Sequence, residues 1–297
     1  MKIIKAIIKP VSSFSSAIHS DTLFGAFCWN YLDKYGEADL KKIIENTDIV
    51  FSNIFPLEML PCPVLPSGEP DFDTVEKYAD VKKLKKVQYL PLNCFAGKLT
   101  QESILEFKKQ AVDNNEIKAE TQIITRSAIN RNTGTVLEGA LFSDREIFYP
   151  ESALMVFYIM FDESSLPENK VKETIEQMSV FGIGKDKSIG KGCFSVEFVP
   201  NDLPMHANQT HFISLSNGLP DDACELLYGK TITKFSRHGR GSRYLKNPIQ
   251  MYTQGSIFKV KEKRKYYGEY NRNASEQEGH VHQACLFPLF VNLEGLA

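Results

Sequence analysis

Apolar residues in the opening stretch MKIIKAIIKP fall at positions 3, 4, 7 and 8. That spacing fits a helix template, while the β-branched side chains and Pro10 favour a short strand. After the polar run SSFSSAIHS the pattern is plainly helical. Leu23, Phe24, Phe27, Cys28, Tyr31 and Leu32 share one face, Asp21 or Thr22 is placed to cap the start, and Gly36 ends or interrupts the element. ADLKKIIENT adds another helical piece. DIVFSNIFPLE then predicts a strand closed by Pro56, and prolines at 61, 63, 66 and 70 make the chain irregular.

From about 57 to 148 the chain shows no long apolar periodicity, although QESILEFKKQAV reads as a helix. These residues are predicted to form an insertion in a first domain, not a core of their own. SALMVFYIMFDES is the most hydrophobic run and predicts a central strand. Next, Ser165 and Glu168 have capping-box spacing with Pro167 in the first turn, and Val171, Ile175 and Met178 form a buried helical stripe. A glycine- and lysine-rich loop follows, and CFSVEFV alternates as a strand. With the insertion set aside, the order is β-α-β-β-α-β, the ferredoxin-like plan, provided the insertion or its flanks supply the third strand. Beyond Asn201 the sequence offers HFISLSNGL as a strand, PDDACELLYG as a short helix, IQMYTQGSIFKVKEK as a strand or hairpin and ACLFPLFVNL as a closing strand. The predicted class is therefore α+β, with two ferredoxin-like (RRM-like) domains. Residues 1–202 make the first, with its insertion at about 57–148, and 203–297 make a smaller C-terminal one.

Composition narrows the picture. At 297 residues with 42% hydrophobic content, the chain suits two domains or one enlarged by an insertion. A net charge of −2 lacks the general basic excess of a nucleic-acid binder, so any basic site has to be local. The six cysteines are dispersed without a C-x-x-C pair, which predicts free thiols and neither zinc nor a disulfide framework. Lysines at 2, 5 and 9 interrupt the apolar N-terminus as no signal peptide does, so a soluble cytoplasmic protein is expected. No metal and no cofactor is expected.

The loop FGIGKDKSIGKGCF, Phe181 to Phe194, raises the chemical question. A Walker A loop needs a hydroxyl after its lysine, but Lys191 is followed by Gly192; a Rossmann fingerprint needs glycine where Lys187 stands. Both motifs also run from strand to helix, whereas this loop runs from a helix into a strand. What remains is a loop whose Gly182, Gly184, Gly190 and Gly192 let a polymer backbone approach, with Lys185, Lys187, Lys191 and Ser188 to meet phosphates. A flexible, solvated connection has the same composition.

The pattern G-x-G-K-x-x-S-x-G-x-G between a helix and the last strand resembles the glycine-rich loop of the CRISPR-associated RAMP superfamily. HSDTLFGAF (His19 to Phe27), RSAINRNTGTVLEGALF (Arg126 to Phe142) and KNPIQMYTQGSIF (Lys246 to Phe258) extend the likeness along the chain. They are similar to the subunits that cap the crRNA 5′ end in type III-A Csm effector complexes. The resemblance implies a subunit that holds the repeat-derived 5′ tag of the crRNA, joins the large polymerase-like subunit and starts the filament of backbone RAMP subunits, meeting target RNA only indirectly. It also implies a binding subunit and not a nuclease; the chain contains no His-Asp dipeptide and no GGDD sequence.

Within that frame, Ser13 and Ser15 offer hydroxyls to phosphate or 2′-OH groups and Phe14 offers a ring to a splayed base, although an ordinary serine-rich turn looks the same. His19 suits proton transfer in a metal-independent endoribonuclease that processes repeat RNA, and equally suits packing at a helix entry. Arg126 and Arg131 lie in an acid-free window, Thr121 to Leu137, as an RNA-contacting hairpin or thumb requires. The strongest basic run holds Lys230, Lys234, Arg237, Arg240, Arg243 and Lys246, with no acid from Leu226 to Lys261. The sequence supports three readings: a non-catalytic crRNA-binding scaffold, an endoribonuclease with His19 as acid or base, and a structural subunit whose loop inserts into a protein neighbour.

Overall fold

The structure is a computed structural model that describes residues 1–66, 82–111, 119–204, 206, 209–239, 245–275 and 279–295. Arg240 and Arg243 lie outside the described residues. The chain begins with β1 (Lys2–Pro10), α1 (Ser20–Tyr35), α2 (Glu37–Asn46), β2 (Ile49–Phe51) and β3 (Phe55–Pro56). Next come β4 (Met59–Pro61), β5 (Tyr89–Pro91), β6 (Lys98–Leu99), α3 (Gln101–Ala111) and a long hairpin of β7 (Glu120–Ile129) and β8 (Val136–Phe148). Then come β9 (Met155–Phe161), α4 (Glu168–Phe181) and β10 (Phe194–Pro200). The remainder is β11 (His211–Ser214), β12 (Cys224–Tyr228), β13 (Thr231–Lys234), β14 (Ile249–Tyr252), β15 (Ile257–Val260), β16 (Tyr270–Asn271), β17 (His282–Gln283), β18 (Pro288–Phe290) and β19 (Asn292–Leu293).

The N-terminal sheet has the order β10-β1-β9-β2, with β3 also on β9, and every pairing is antiparallel. The ambiguous opening stretch is a strand because both of its edges find partners, Ile4 standing between Ile159 and Pro200. Alternation then buries Ile4, Ala6 and Ile8 on one face. β9 is buried along its whole length, as its unbroken apolar run predicts.

Two predicted caps do not form. His19, not Asp21 or Thr22, occupies the N-cap of α1 without a side-chain bond, because Asn53 Oδ1 already accepts from the Ser20 amide at 2.7 Å. At α4 the N-cap is Pro167; Ser165 Oγ bonds Asp162 O, and Glu168 pairs with Lys2 and Lys172. In both cases a tertiary partner replaces the local one.

The C-terminal half departs further from expectation. PDDACELLYG supplies β12, not a helix, because Leu226 and Cys224 stand in register with Phe258 and Val260 of β15. Among the described residues after Pro200 there is no helix, so the helices of a second ferredoxin-like (RRM-like) domain are not seen among the described residues of 203–297. β14 and β15 are not a hairpin: β14 pairs with β13, and β15 lies between β12 and β11. One apolar cluster runs from Ile4 to Val291 across both halves. Gln283 clasps the Phe51 amide and carbonyl at 3.0 and 2.9 Å, and the Tyr270 hydroxyl donates to Ile49 O.

Candidate nucleic-acid interface

The glycine-rich loop is closed at its neck by two glycines packed against each other's segments. Gly182 (φ +77°) and Gly192 (φ +73°) adopt a backbone that L residues avoid, and an added Cβ would lie 2.2 Å from Lys191 O or 2.0 Å from Ile183 O. The Ile183 amide donates to Gly192 O at 3.0 Å, and Gly192 donates to Ser13 O at 2.9 Å. Cys193 N bonds Ser12 Oγ at 2.9 Å, so the neck is sutured to the β1–α1 linker. Beyond it, Gly184 and Gly190 also have positive φ, and around Gly190 the space is open. Ser188 and Gly190 are exposed and Lys187 is half-buried.

The loop's charges are compensated, which composition alone did not reveal. Lys185 pairs with Asp144, and Lys191, only 7% exposed, pairs with Glu146. Arg126 reaches Glu146 at 2.5 Å and Asp186 at 3.6 Å, and Ser13 Oγ donates to Glu146 Oε2 at 2.8 Å. Hydrogen bonding from Lys191, with Ser13 and Arg126 behind it, holds the Glu146 carboxyl down at about 2. Three cations therefore meet three carboxylates where the base of the β7–β8 hairpin touches the loop. Asp144 and Glu146 are two residues apart on β8 and share a face, a legible signal just outside the acid-free window.

Several expected contacts change role. Phe14 is 2% exposed, exchanges backbone bonds with Ile147 and packs edge-on against Tyr149, so its ring has no face for a base. Lys191 and Arg126 are held by acids and act first as parts of this lock. Ser15 Oγ bonds Lys185 O at 3.3 Å. Arg131 stands exposed at the tip of the hairpin.

A second polar cluster lies at the other end of the linker. His19 Nδ1 accepts from Lys234 Nζ at 2.9 Å, Lys234 reaches Asp21 Oδ1 at 3.2 Å, and Asp21 lies 3.8 Å from His282 Nε2. Burial and then the Lys234 charge push the His19 imidazole down to about 4. Of the basic run, Lys234 and Lys246 turn inward; Lys246 donates to Val281 O at 3.1 Å and burial lowers its pKa. Lys230 and Arg237 are exposed, as is the Phe235 ring. Residues 12 to 19 are thus a seam, with the glycine loop and hairpin base at one end and the basic strand β13 at the other. Among the described residues no group of His, Cys, Asp and Glu side chains is arranged to hold a metal. No helix of the described residues is long and apolar enough to cross a membrane.

The five-stranded antiparallel sheet, the helix-to-strand glycine loop and the projecting hairpin go with a known class: the chain belongs to the RAMP superfamily, whose family model matches residues 10–195. Solved structures agree over nearly the full length. A chain of a Csm1–Csm4 cassette in complex with AMPPNP matches with TM-score 0.61 at 20% identity, covering 98% of this chain and 99% of its own. A chain of a Csm3–Csm4 subcomplex of the type III-A CRISPR-Cas interference complex matches with TM-score 0.60 at 19% identity, covering 97% and 99%. A chain of a type III-B Cmr-β complex bound to cognate target RNA is more distant, with TM-score 0.51 at 13% identity and 86% coverage of each. No curated protein matches the sequence.

Proposed function

We propose that this chain is a non-catalytic crRNA-binding subunit of a type III-A CRISPR (Csm) effector complex in antiviral defence. It would hold the 5′ repeat-derived tag and bridge the large polymerase-like subunit to the backbone RAMP filament. The observation that carries this reading is the full-length fold match to chains of Csm1–Csm4 and Csm3–Csm4 assemblies, on a chain that belongs to the RAMP superfamily. The strand order β10-β1-β9-β2 supports a ferredoxin-like first domain. RNA would meet the exposed Ser188 hydroxyl and the open backbone at Gly190, Arg131 at the hairpin tip, and Arg237 with the remaining arginines of the basic run.

The chemistry of His19 favours binding over cleavage. An imidazole at about 4, with Nδ1 taken by Lys234, is neutral at neutral pH, which makes it a poor general acid and a weak base. Incubating the protein with repeat RNA in EDTA is expected to yield no site-specific cuts; cuts lost in His19→Ala would establish the endoribonuclease instead. Arg131→Ala with Arg237→Ala should lower crRNA affinity and flatten its salt dependence by about two contacts. Unchanged occupancy and salt slope would defeat the RNA-holding reading.

A further inference from the structure

A cleft of about 740 Å3 opens between the segment from β4 to α3 and the C-terminal half, away from the glycine loop. Its volume lies in the range of small-molecule sites, roughly 300–1,000 Å3. Lys85, Lys108 and Lys230 line it together with His19, and among the described residues no lining residue is acidic. None of the three lysines is ion-paired with a carboxylate among the described residues.

The floor of the cleft carries an unused donor. Asn217 is 1% exposed, and its Oδ1 accepts from Asn53 Nδ2 at 3.0 Å and from the Gln254 amide at 3.1 Å. Two N–H donors on one atom fix the amide's orientation, and the Nδ2 group is left buried without a partner. Buried donors are nearly always satisfied, so a bare one on a cavity wall marks a place for an acceptor. His19 adds another: with Nδ1 accepting from Lys234, the neutral ring carries its hydrogen on Nε2. The remaining wall is mixed, Gln88, Thr253 and Gln254 adding polar groups beside apolar Pro61, Val64 and Ile232.

We propose that this cleft is a binding site for a nucleoside phosphate, whose phosphate meets the lysines, whose base lies on the apolar side chains, and one of whose acceptors takes the Asn217 Nδ2 hydrogens. The three lysines with the Asn217 and His19 donors select an anion rich in acceptors, and the apolar side chains favour a base over a bare phosphate. The nucleotide is either free or one unit of a bound RNA strand; in the second case the inference rests on the proposed function.

The test is calorimetric titration of the full-length protein with AMP, adenosine and inorganic phosphate, and with a short single-stranded oligoribonucleotide. AMP should bind saturably, with adenosine and phosphate each about tenfold weaker or worse. Lys108→Gln with Lys230→Gln, on side chains that reach solvent, and Asn217→Asp, which keeps the Oδ1 acceptor and loses the donor, should each weaken AMP by about tenfold or more. Displacement of AMP by the oligoribonucleotide identifies a strand nucleotide as the occupant; saturable AMP binding without displacement identifies a free one. No AMP binding, or AMP binding unchanged in the lysine pair, overturns the proposal. RNA binding that falls with Arg131 and Arg237 but ignores the cleft variants leaves the proposed function standing and removes the cleft from it.

Discussion

A carboxylate at position 146 holds two cations that the fold has partly withdrawn from water. Removing it in Glu146→Ala leaves Lys191 buried with only Asp186, at 3.9 Å, in reach. The variant is expected to lose about 3 kcal/mol of stability, seen as a lower thermal midpoint, and Glu146→Gln should lose less because an amide oxygen still accepts from Ser13. Buried histidines set the pH response. His19 and His282 are both held down at about 4 by burial, below the ordinary 6.5, so the folded protein binds fewer protons than the unfolded chain in that window. Their contribution is complete above 6.5 and lost as the pH falls toward 4. Glu146 acts lower, its stabilisation fading only between about 4.5 and about 2. Thermal midpoints should therefore drop on acidification from 6.5 to 4, and His282→Gln should reduce that slope. Of these residues, the sequence flagged His19 and Lys191 as chemical candidates but assigned neither to a lock, because both partners, Lys234 and Glu146, are distant in the chain.

At the scale of elements, the glycine loop and the β7–β8 hairpin form one electrostatic unit. Their three-against-three balance explains how a lysine-rich loop presents little net charge. Asp144→Asn with Asp186→Asn would free Lys185 while Glu146 still holds Arg126, and should raise RNA affinity while steepening its dependence on salt by about one phosphate contact. Filter binding across a salt series measures both; an unchanged slope would mean that the freed Lys185 does not reach phosphate. The helix-to-strand setting of the loop was legible from periodicity, whereas the hairpin was suggested only by the acid-free polar window around Arg126 and Arg131. The strand β12 was not legible, since its four-residue apolar content fits a helix as well, and only pairing with β15 decides between them.

At the scale of the molecule, a single apolar cluster joins the two halves, and Gln283 and Tyr270 of the second half bond to the backbone of β2 in the first. A truncated chain ending near residue 202 would expose Ile49, Phe51 and the inner face of α1 to water. It is expected to lack a cooperative unfolding transition and to aggregate, as circular dichroism on heating and size-exclusion chromatography would show. Cooperative melting of that fragment would show that the first half folds alone.

The sequence by itself determined the helices α1, α2 and α4, the strands β9 and β10, and the glycine spacing that excludes a nucleotide loop of the Walker or Rossmann kind. These features depend on local periodicity and on backbone angles that only glycine adopts readily. Tertiary structure decided the rest: that the opening stretch is a strand, that the second half lacks a helix among its described residues, that Phe14 is core, and that the loop's lysines face acids. Each of those outcomes depends on partners far apart along the chain, and pairing, burial and charge compensation are energies between such partners.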